Sequence, residues 1–392
     1  MFAQIPIAPT DPILGLTDAY RQDPRPDKIN LGVGVFQNEA GITPVMSAVK
    51  AAESRLLELE QSKGYLPIEG QARFGEQVRH LLFGVRSNLE AITVQAPGGT
   101  GALRLAGEFL FRLMGARRIW ISNPTWANHQ GIFKAAGFTL AEYAYFDAQH
   151  SGLNFAAMMA DLQQVTADDV VLLHGCCHNP SGVDPSIEQW EQIAEALAQR
   201  GAMVLVDLAY QGFGTGLRAD AQVLDIILEK IPNLFIANSF SKNFGLYSER
   251  VGALTVVTES AAASAAVMSQ LKVLVRGLYS NPPSHGAAVV TTILADDGLR
   301  AQWEQELSEM RQRIHQLRQD FVAGLAAAGV QQDFSFITRQ LGMFSFSGLN
   351  PEQVDRLQQD YGIYMVRSGR MNVAGMRKDN IQRLCQAISA VL

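Results

Sequence analysis

LFIANSFSKNFGLYSERVG, Leu234 to Gly252, opens with a short apolar run and then gathers two serines flanking a phenylalanine, a lysine and, eight residues further on, an arginine. LFIANS reads as a buried strand. Ser239, Ser241, Lys242 and Arg250 therefore stand at or just past the mouth of a strand. In doubly wound sheets, ligands collect beyond the carboxyl ends of the strands. The stretch decides the fold class if other strands of the same kind flank it.

They do. ITVQAPGG (Ile92 to Gly99) reads as strand then Gly turn, and RIWIS (Arg118 to Ser122), VVLLHG (Val170 to Gly175) and MVLVDLAY (Met203 to Tyr210) read as further short apolar strands. Helical patterns separate them: GALRLAGEFLFRLMG, closed by Gly115, and IEQWEQIAEALAQRG, with Gly201 past its end. Short apolar strands alternating with helices imply an α/β fold, a mainly parallel mixed sheet covered by helices.

The first forty or so residues are rich in Pro and Gly and read as an extended arm followed by irregular structure. A helix is expected to begin at Thr43, with Pro44 at an early position, and to run through AVKAAESRLLELE before the loop SKGYLPIEG. A long polar helix spans Leu299 to Gly329. A smaller αβ tail follows, with GMFSFSG, YGIYMV and a closing helix to Leu392. The expected division is 1–43 as arm and part of a small domain, 44–310 as the large domain, and 311–392 as the rest of the small domain built from both chain ends.

The 392 residues are 47% hydrophobic and 18% charged, with a net charge of -6. That balance suits a globular domain pair and argues against a nucleic-acid surface. Three cysteines, two of them adjacent, make no disulfide framework and point to a reducing compartment. The start, MFAQIPIAPTDP, lacks a basic, then apolar, secretory pattern, and no apolar run is long enough to cross a bilayer. A cytoplasmic location is expected.

Three strand ends carry chemistry. Gly98, Gly99, Thr100 and Gly101 offer bare amides, a hydroxyl and a helix N-terminus, which suit a phosphate. The plain alternative is a Gly-rich turn. Asp207 ends the apolar run MVLV, where a carboxylate needs a cationic or hydrogen-bonding partner unless it simply caps a helix. Lys242 at a buried strand end would have a lowered pKa and suit Schiff-base chemistry; a lone lysine would more simply be a solvated loop residue. Ser239, Ser241 and Arg250 add hydroxyls and a fixed cation. An amine for an aldehyde, an acid for a ring nitrogen and donors for a phosphate are together what a pyridoxal-phosphate site requires.

The chain resembles the aspartate and aromatic-amino-acid aminotransferases of the class I pyridoxal-phosphate-dependent family. DPILGL, NLGVGV, PGGTGALR, NPTWANH, HGCCHNPSG, AYQGF, SFSKNFGLYSERVG, YSNPP, GMFSFSGL and SGRMNVAG stand in the family's order over nearly the whole chain. The resemblance implies the type I fold of pyridoxal-phosphate transferases. It implies that Lys242 holds the cofactor as a Schiff base, that Asp207 keeps the ring nitrogen protonated, and that Tyr210, helped by Asn179, bonds the phenolic oxygen. Trp126 would stack on the ring. Gly99, Thr100, Ser239, Ser241 and Arg250 would hold the phosphate, with Tyr65 reaching it from a partner subunit. Arg370 would clamp the substrate's α-carboxylate, Arg276 would bind a second carboxylate across a homodimer interface, and Gly34 would close over the substrate. His129 would buttress Asp207.

HGCCH (His174 to His178) invites a metal reading, but adjacent strand residues point to opposite faces, and no metal site is expected. Met365, Met371 and Met376 read as packing. Arg276 argues for a dicarboxylic substrate. Pro67 in YLPIEG resembles the aromatic-accepting branch, Asn281 and Thr100 lean toward aspartate, and Phe36 and Gln37 match neither. The expected reaction is ping-pong transfer of the amino group of L-aspartate, with aromatic amino acids as a second specificity, to 2-oxoglutarate. A lyase or decarboxylase on the same fold would leave Arg276 and Arg370 harder to explain. A non-catalytic sensor would ordinarily carry a DNA-binding module, and no helix-turn-helix precedes this fold.

Overall fold

The computed structural model of the chain describes residues 2–7, 13–84 and 89–392. Residues 8–12, which hold the start of the DPILGL motif and part of the expected arm, lie outside the described residues. Two compact units emerge: 44–312, and 1–43 together with 313–392.

The unit 44–312 is built on a seven-stranded sheet. Its strands, numbered along the chain, are β1 (Ala91–Pro97), β2 (Arg118–Asn123), β3 (Thr139–Ala144), β4 (Asp169–His174), β5 (Met203–Leu208), β6 (Leu234–Ser239) and β7 (Val251–Val257). Their spatial order is β1-β7-β6-β5-β4-β2-β3. β3, β2, β4, β5 and β6 are parallel, while β7 runs antiparallel to both β6 and β1. β4, β6 and β7 are buried along their whole length, and the first two carry the apolar runs VVLL and LFIA. The core on one face packs Leu103, Phe109 and Phe133 against Val170, Leu205 and Leu254 of the sheet. The helix Ile187–Arg200 starts in a Ser186/Gln189 capping box and stops at Gly201 in the left-handed conformation.

Because β7 reverses direction, the carboxyl ends of β1, β4, β5 and β6 and the start of β7 share one edge of the sheet. Val251 pairs with Pro97, and Gly252 pairs with Ser239. Residues 98–101, 174–179, 207–210 and 239–250 therefore converge.

The other unit has two small ladders. Ile29–Asn30 pairs in parallel with Ile363–Tyr364, and Phe344–Phe346 pairs antiparallel with Arg370–Asn372. Helices Pro351–Tyr361 and Lys378–Val391, and the last turns of the helix Asp297–Ala327, cover them.

Two expectations change. The N-terminal region is not an extended arm throughout, because Leu14–Gln22 is a helix. No side chain caps its start; its place comes from tertiary contacts, with Tyr20 edge-on to Tyr364 at 5.5 Å and Leu16 filling the space over Gly32. The next helix starts at Ser47, not Thr43, since Met46 is extended and Glu306 accepts the free amides of Ser47 and Ala48 at 2.6 and 3.0 Å. Among the described residues no helix is long and apolar enough to cross a membrane.

Candidate active site

The loop 240–250 carries Lys242 and is tied down at several points. Phe240 donates its amide to Val251 O at 3.0 Å, and Gly245, at φ +64°, donates to Lys242 O at 3.0 Å. The fully buried Trp303 donates from Nε1 to Asn243 O at 2.7 Å and stacks on Phe244 with ring centroids 4.3 Å apart. Asn243 Nδ2 donates to Gln211 O at 3.2 Å. The backbone on either side of Lys242 is thus fixed by groups buried beneath it.

Lys242 Nζ lies 4.7 Å from the centre of the Tyr210 ring. Burial pushes its amine down to about 8; the charge of Asp207 opposes that shift and the charge of Arg250 adds to it. About a tenth of it is then neutral at pH 7, far more than for an ordinary lysine, which makes it a usable nucleophile and base.

Asp207 and His174 sit opposite each other in the β4–β5 register. Asp207 Oδ2 accepts from His129 Nε2 at 3.0 Å. The hydroxyl of Thr125 bridges His129 Nδ1 (2.8 Å) and His174 Nε2 (3.1 Å). Burial alone would favour the protonated acid. The hydrogen bond from His129, with the Lys242 cation nearby, outweighs it and holds the carboxyl below the ordinary range. His174 is itself neutral: burial, with the charge of His129, pushes it down to about 3 against the pull of Asp207. The result is a buried carboxylate kept ionised, suited to a cationic ring nitrogen.

The anion cradle forms where β1 meets β7. Gly98 has φ +73°, and a Cβ there would stand 2.4 Å from Arg250 Nη2. At Gly252 a Cβ would meet Gly98 C at 2.3 Å, so the two backbones touch. Gly99 faces Ser239, Arg250 Nη1 donates to Ser241 Oγ at 3.4 Å, and Thr100 lies in the first turn of the helix Gly98–Arg112. The amides of that helix, two serine hydroxyls and one guanidinium bound a space suited to a phosphate.

Asn179 Nδ2 donates to the Tyr210 hydroxyl at 3.4 Å. The Trp126 ring is edge-on to His129, with centroids 5.2 Å apart. Asp184 holds the turn that carries Asn179 by accepting the amides of Cys177 and His178 at 2.6 and 2.8 Å. The structure thus brings together Lys242, Asp207, Tyr210, Asn179, Trp126, Gly99, Thr100, Ser239, Ser241 and Arg250. Tyr65, 92% exposed, and Arg276, also exposed and bonded to Ser280 Oγ, stand on the surface. Arg370 and Gly34 belong to the other unit. There, buried Arg370 donates to Gly32 O and lies 4.5 Å over the Phe344 ring, which also fills the space beside Gly34.

Sequence reasoning missed Thr125, His174 and Trp303 as supporting residues. Only a polar residue ending the VVLLH strand could have flagged His174.

The opposite-faces argument against HGCCH does not hold. β4 ends at His174, Cys177 takes φ +52°, and both thiols come within 4.8 Å of each other and of an Asp220 oxygen. Asp220, however, accepts the amides of Gly212, Gly214 and Thr215 at 2.8, 2.9 and 2.7 Å. The Cys176 thiol is raised well above its usual value by its hydrogen bond with Cys177 and by burial.

The profile of the family "Aminotransferase class I and II" matches residues 26–388. The chain is 53% identical to the aspartate aminotransferase of Salmonella typhi, with 100% of both chains covered. It is 45% identical to the aromatic-amino-acid aminotransferase of Pseudomonas aeruginosa, over 100% of this chain and 98% of that one. A crystal structure of the aromatic-amino-acid aminotransferase from Burkholderia pseudomallei, covalently bound to pyridoxal phosphate, superposes with a TM-score of 0.98 at 47% identity, covering 100% and 99% of the two chains.

Proposed function

Because the chain belongs to the class I and II aminotransferases, we infer that it transfers the amino group of L-aspartate to a 2-oxo acid with pyridoxal phosphate as cofactor. The observation that carries this reading is a half-buried Lys242, its Nζ 4.7 Å from the Tyr210 ring, at the same sheet edge as a buried Asp207 bonded to His129.

When bound, pyridoxal phosphate supplies an aldehyde that condenses with amines and a ring that draws electrons from the substrate's Cα. Lys242 is proposed to hold the aldehyde. When free, its Nζ would take the substrate's Cα proton and deliver it to the carbon on the other side of the amino nitrogen, as a single base and acid. Asp207, steadied by His129, keeps a proton on the ring nitrogen. Tyr210 and Asn179 would address the ring's oxygen, and Trp126 would stack on its face. Gly99, Thr100, Ser239, Ser241 and Arg250 would anchor the phosphate. Arg370 would take the α-carboxylate as a fork, with Gly34 beside it. One amino acid enters and its oxo acid leaves before the second oxo acid binds, which is ping-pong kinetics.

Exposed Tyr65 and Arg276 are proposed to serve the site of a partner subunit, Tyr65 at the phosphate and Arg276 at the side-chain carboxylate. This makes the enzyme a homodimer; an active monomer in sedimentation would overturn it. A cytoplasmic location is part of the same proposal.

Aspartate as the main donor is tested by half-reactions without an oxo acid. L-aspartate should convert the lysine-bound cofactor to its amine form faster than L-phenylalanine does. Comparable rates would support the broad aromatic type, as the 45% identity to an aromatic-amino-acid aminotransferase allows. Release of carbon dioxide in place of an oxo acid would refute the reading.

A further inference from the structure

Arg318, on the helix Asp297–Ala327, is 1% exposed. Its Nη1 donates to Ile337 O at 3.0 Å and to Ser345 Oγ, and its Nη2 donates to Gly342 O and Phe344 O at 2.8 Å each. Burying a guanidinium is costly unless its donors are satisfied. Here they converge on one short segment, 337–345, which leads into the strand Phe344–Phe346.

That strand pairs with Arg370–Asn372 alone among the described residues. Val373 donates its amide to Met343 O, and Ser347 donates to Gly369 O, both at 2.8 Å. Odd-numbered residues therefore turn their backbone toward the partner strand, and Phe344 turns its carbonyl outward. Arg318 occupies that open edge, where a third strand would otherwise stand. A ladder of two three-residue strands is marginal by itself, so the position of Phe344 depends on this edge being held.

Phe344 in turn supports Arg370. In the ladder Arg370 lies opposite Phe346, on the face that Phe344 shares. Its guanidinium is 4.5 Å from the centre of the Phe344 ring. A Cβ at Gly34 would come within 2.8 Å of Phe344 Cζ, so the tip of the ring is also closely packed.

We propose that Arg318 is a positioning residue for the substrate-carboxylate clamp: it pins the strand Phe344–Phe346 and so fixes the ring on which Arg370 lies. The inference rests on the reading of Arg370 as that clamp. A clamp misplaced by about 1 Å can lose on the order of a hundredfold, and the loss should fall on carboxylate binding.

The test uses the cofactor-loaded enzyme and its Arg318→Met, Arg318→Lys, Phe344→Leu and Arg370→Lys variants. Half-reactions give the limiting rate and the half-saturating L-aspartate concentration. Calorimetry gives the affinity for succinate, which has both carboxylates and no amine. Arg318→Met should raise half-saturation and the succinate Kd together by about tenfold or more, leaving the limiting rate and the cofactor absorbance within about threefold. Arg318→Lys, which keeps a charge and three donors without the fork, should fall between. Phe344→Leu retains Arg318 and should reproduce the Met signature, which carries the test if Arg318→Met does not fold. Unchanged half-saturation and succinate Kd in Arg318→Met or Phe344→Leu, or a fall confined to the limiting rate, would overturn the inference. If Arg370→Lys also leaves both unchanged, the clamp reading fails and this inference with it; if only Arg370→Lys weakens binding, the inference alone fails.

Discussion

Replacing Lys242 with methionine should make the cofactor-free protein more stable at pH 7. Methionine has similar length and no charge. In the fold the amine titrates at about 8 instead of near 10.5, because burial penalises its charged form. Below pH 8 lysine is charged in both folded and unfolded states, and the folded state bears the full penalty. Above about 10.5 it is neutral in both, and the penalty vanishes. Between these values the unfolded state binds more protons, so wild-type stability rises with pH relative to the variant. The difference of about 2.5 pKa units corresponds to at most about 3 kcal/mol. Urea unfolding of both apoproteins at several pH values between 7 and 10.5 reads this directly. The variant's advantage should be largest at pH 7 and shrink toward zero by pH 10.5. A difference independent of pH, or none at pH 7, would show that the amine is not held in a disfavoured charge state.

Other outcomes follow from the same geometry. Gly98→Ala places a methyl 2.4 Å from Arg250 Nη2 at a left-handed position, and should weaken pyridoxal-phosphate binding at least about tenfold in a fluorescence titration. His129→Leu removes the donor to buried Asp207, worth about 1–3 kcal/mol; kcat/KM should fall roughly tenfold to a hundredfold while cofactor is retained. Trp303→Phe loses the bond to Asn243 O and should lower stability by about 1–2 kcal/mol in urea unfolding. Arg276→Ala should raise KM for aspartate strongly and leave KM for phenylalanine nearly unchanged; equal effects on both would remove Arg276 from substrate selection.

The strands that build the site edge were legible because each is a short apolar run that stops at a polar residue. Asp207 and Lys242 could be picked out for the same reason, since a charge at the end of a buried strand needs a purpose. β7 was harder to see: VGALTVV follows a motif that draws attention to itself, and its reversal of direction leaves no mark on local periodicity. β3 is an edge strand whose half-exposed residues blur the apolar signal. The helix Leu14–Gln22 has no side-chain cap, and its contacts come from residues far along the chain, Tyr364 among them. His174 acquires a role only when β4 and β5 pair it with Asp207, and Thr125 only when the turn after β2 sets its hydroxyl between His129 and His174. Arg318 reads in sequence as one more cation on a polar helix, and only the fold reveals that it is buried against a strand edge.

The central claim is that Lys242 is the amine that carries the cofactor. It is tested most directly by reducing the pyridoxal-phosphate-loaded protein with borohydride, digesting it and locating the modified lysine by mass spectrometry. The account predicts a phosphopyridoxyl group on the peptide containing Lys242. The same adduct on another lysine, or no adduct in protein that has retained its cofactor, would contradict it.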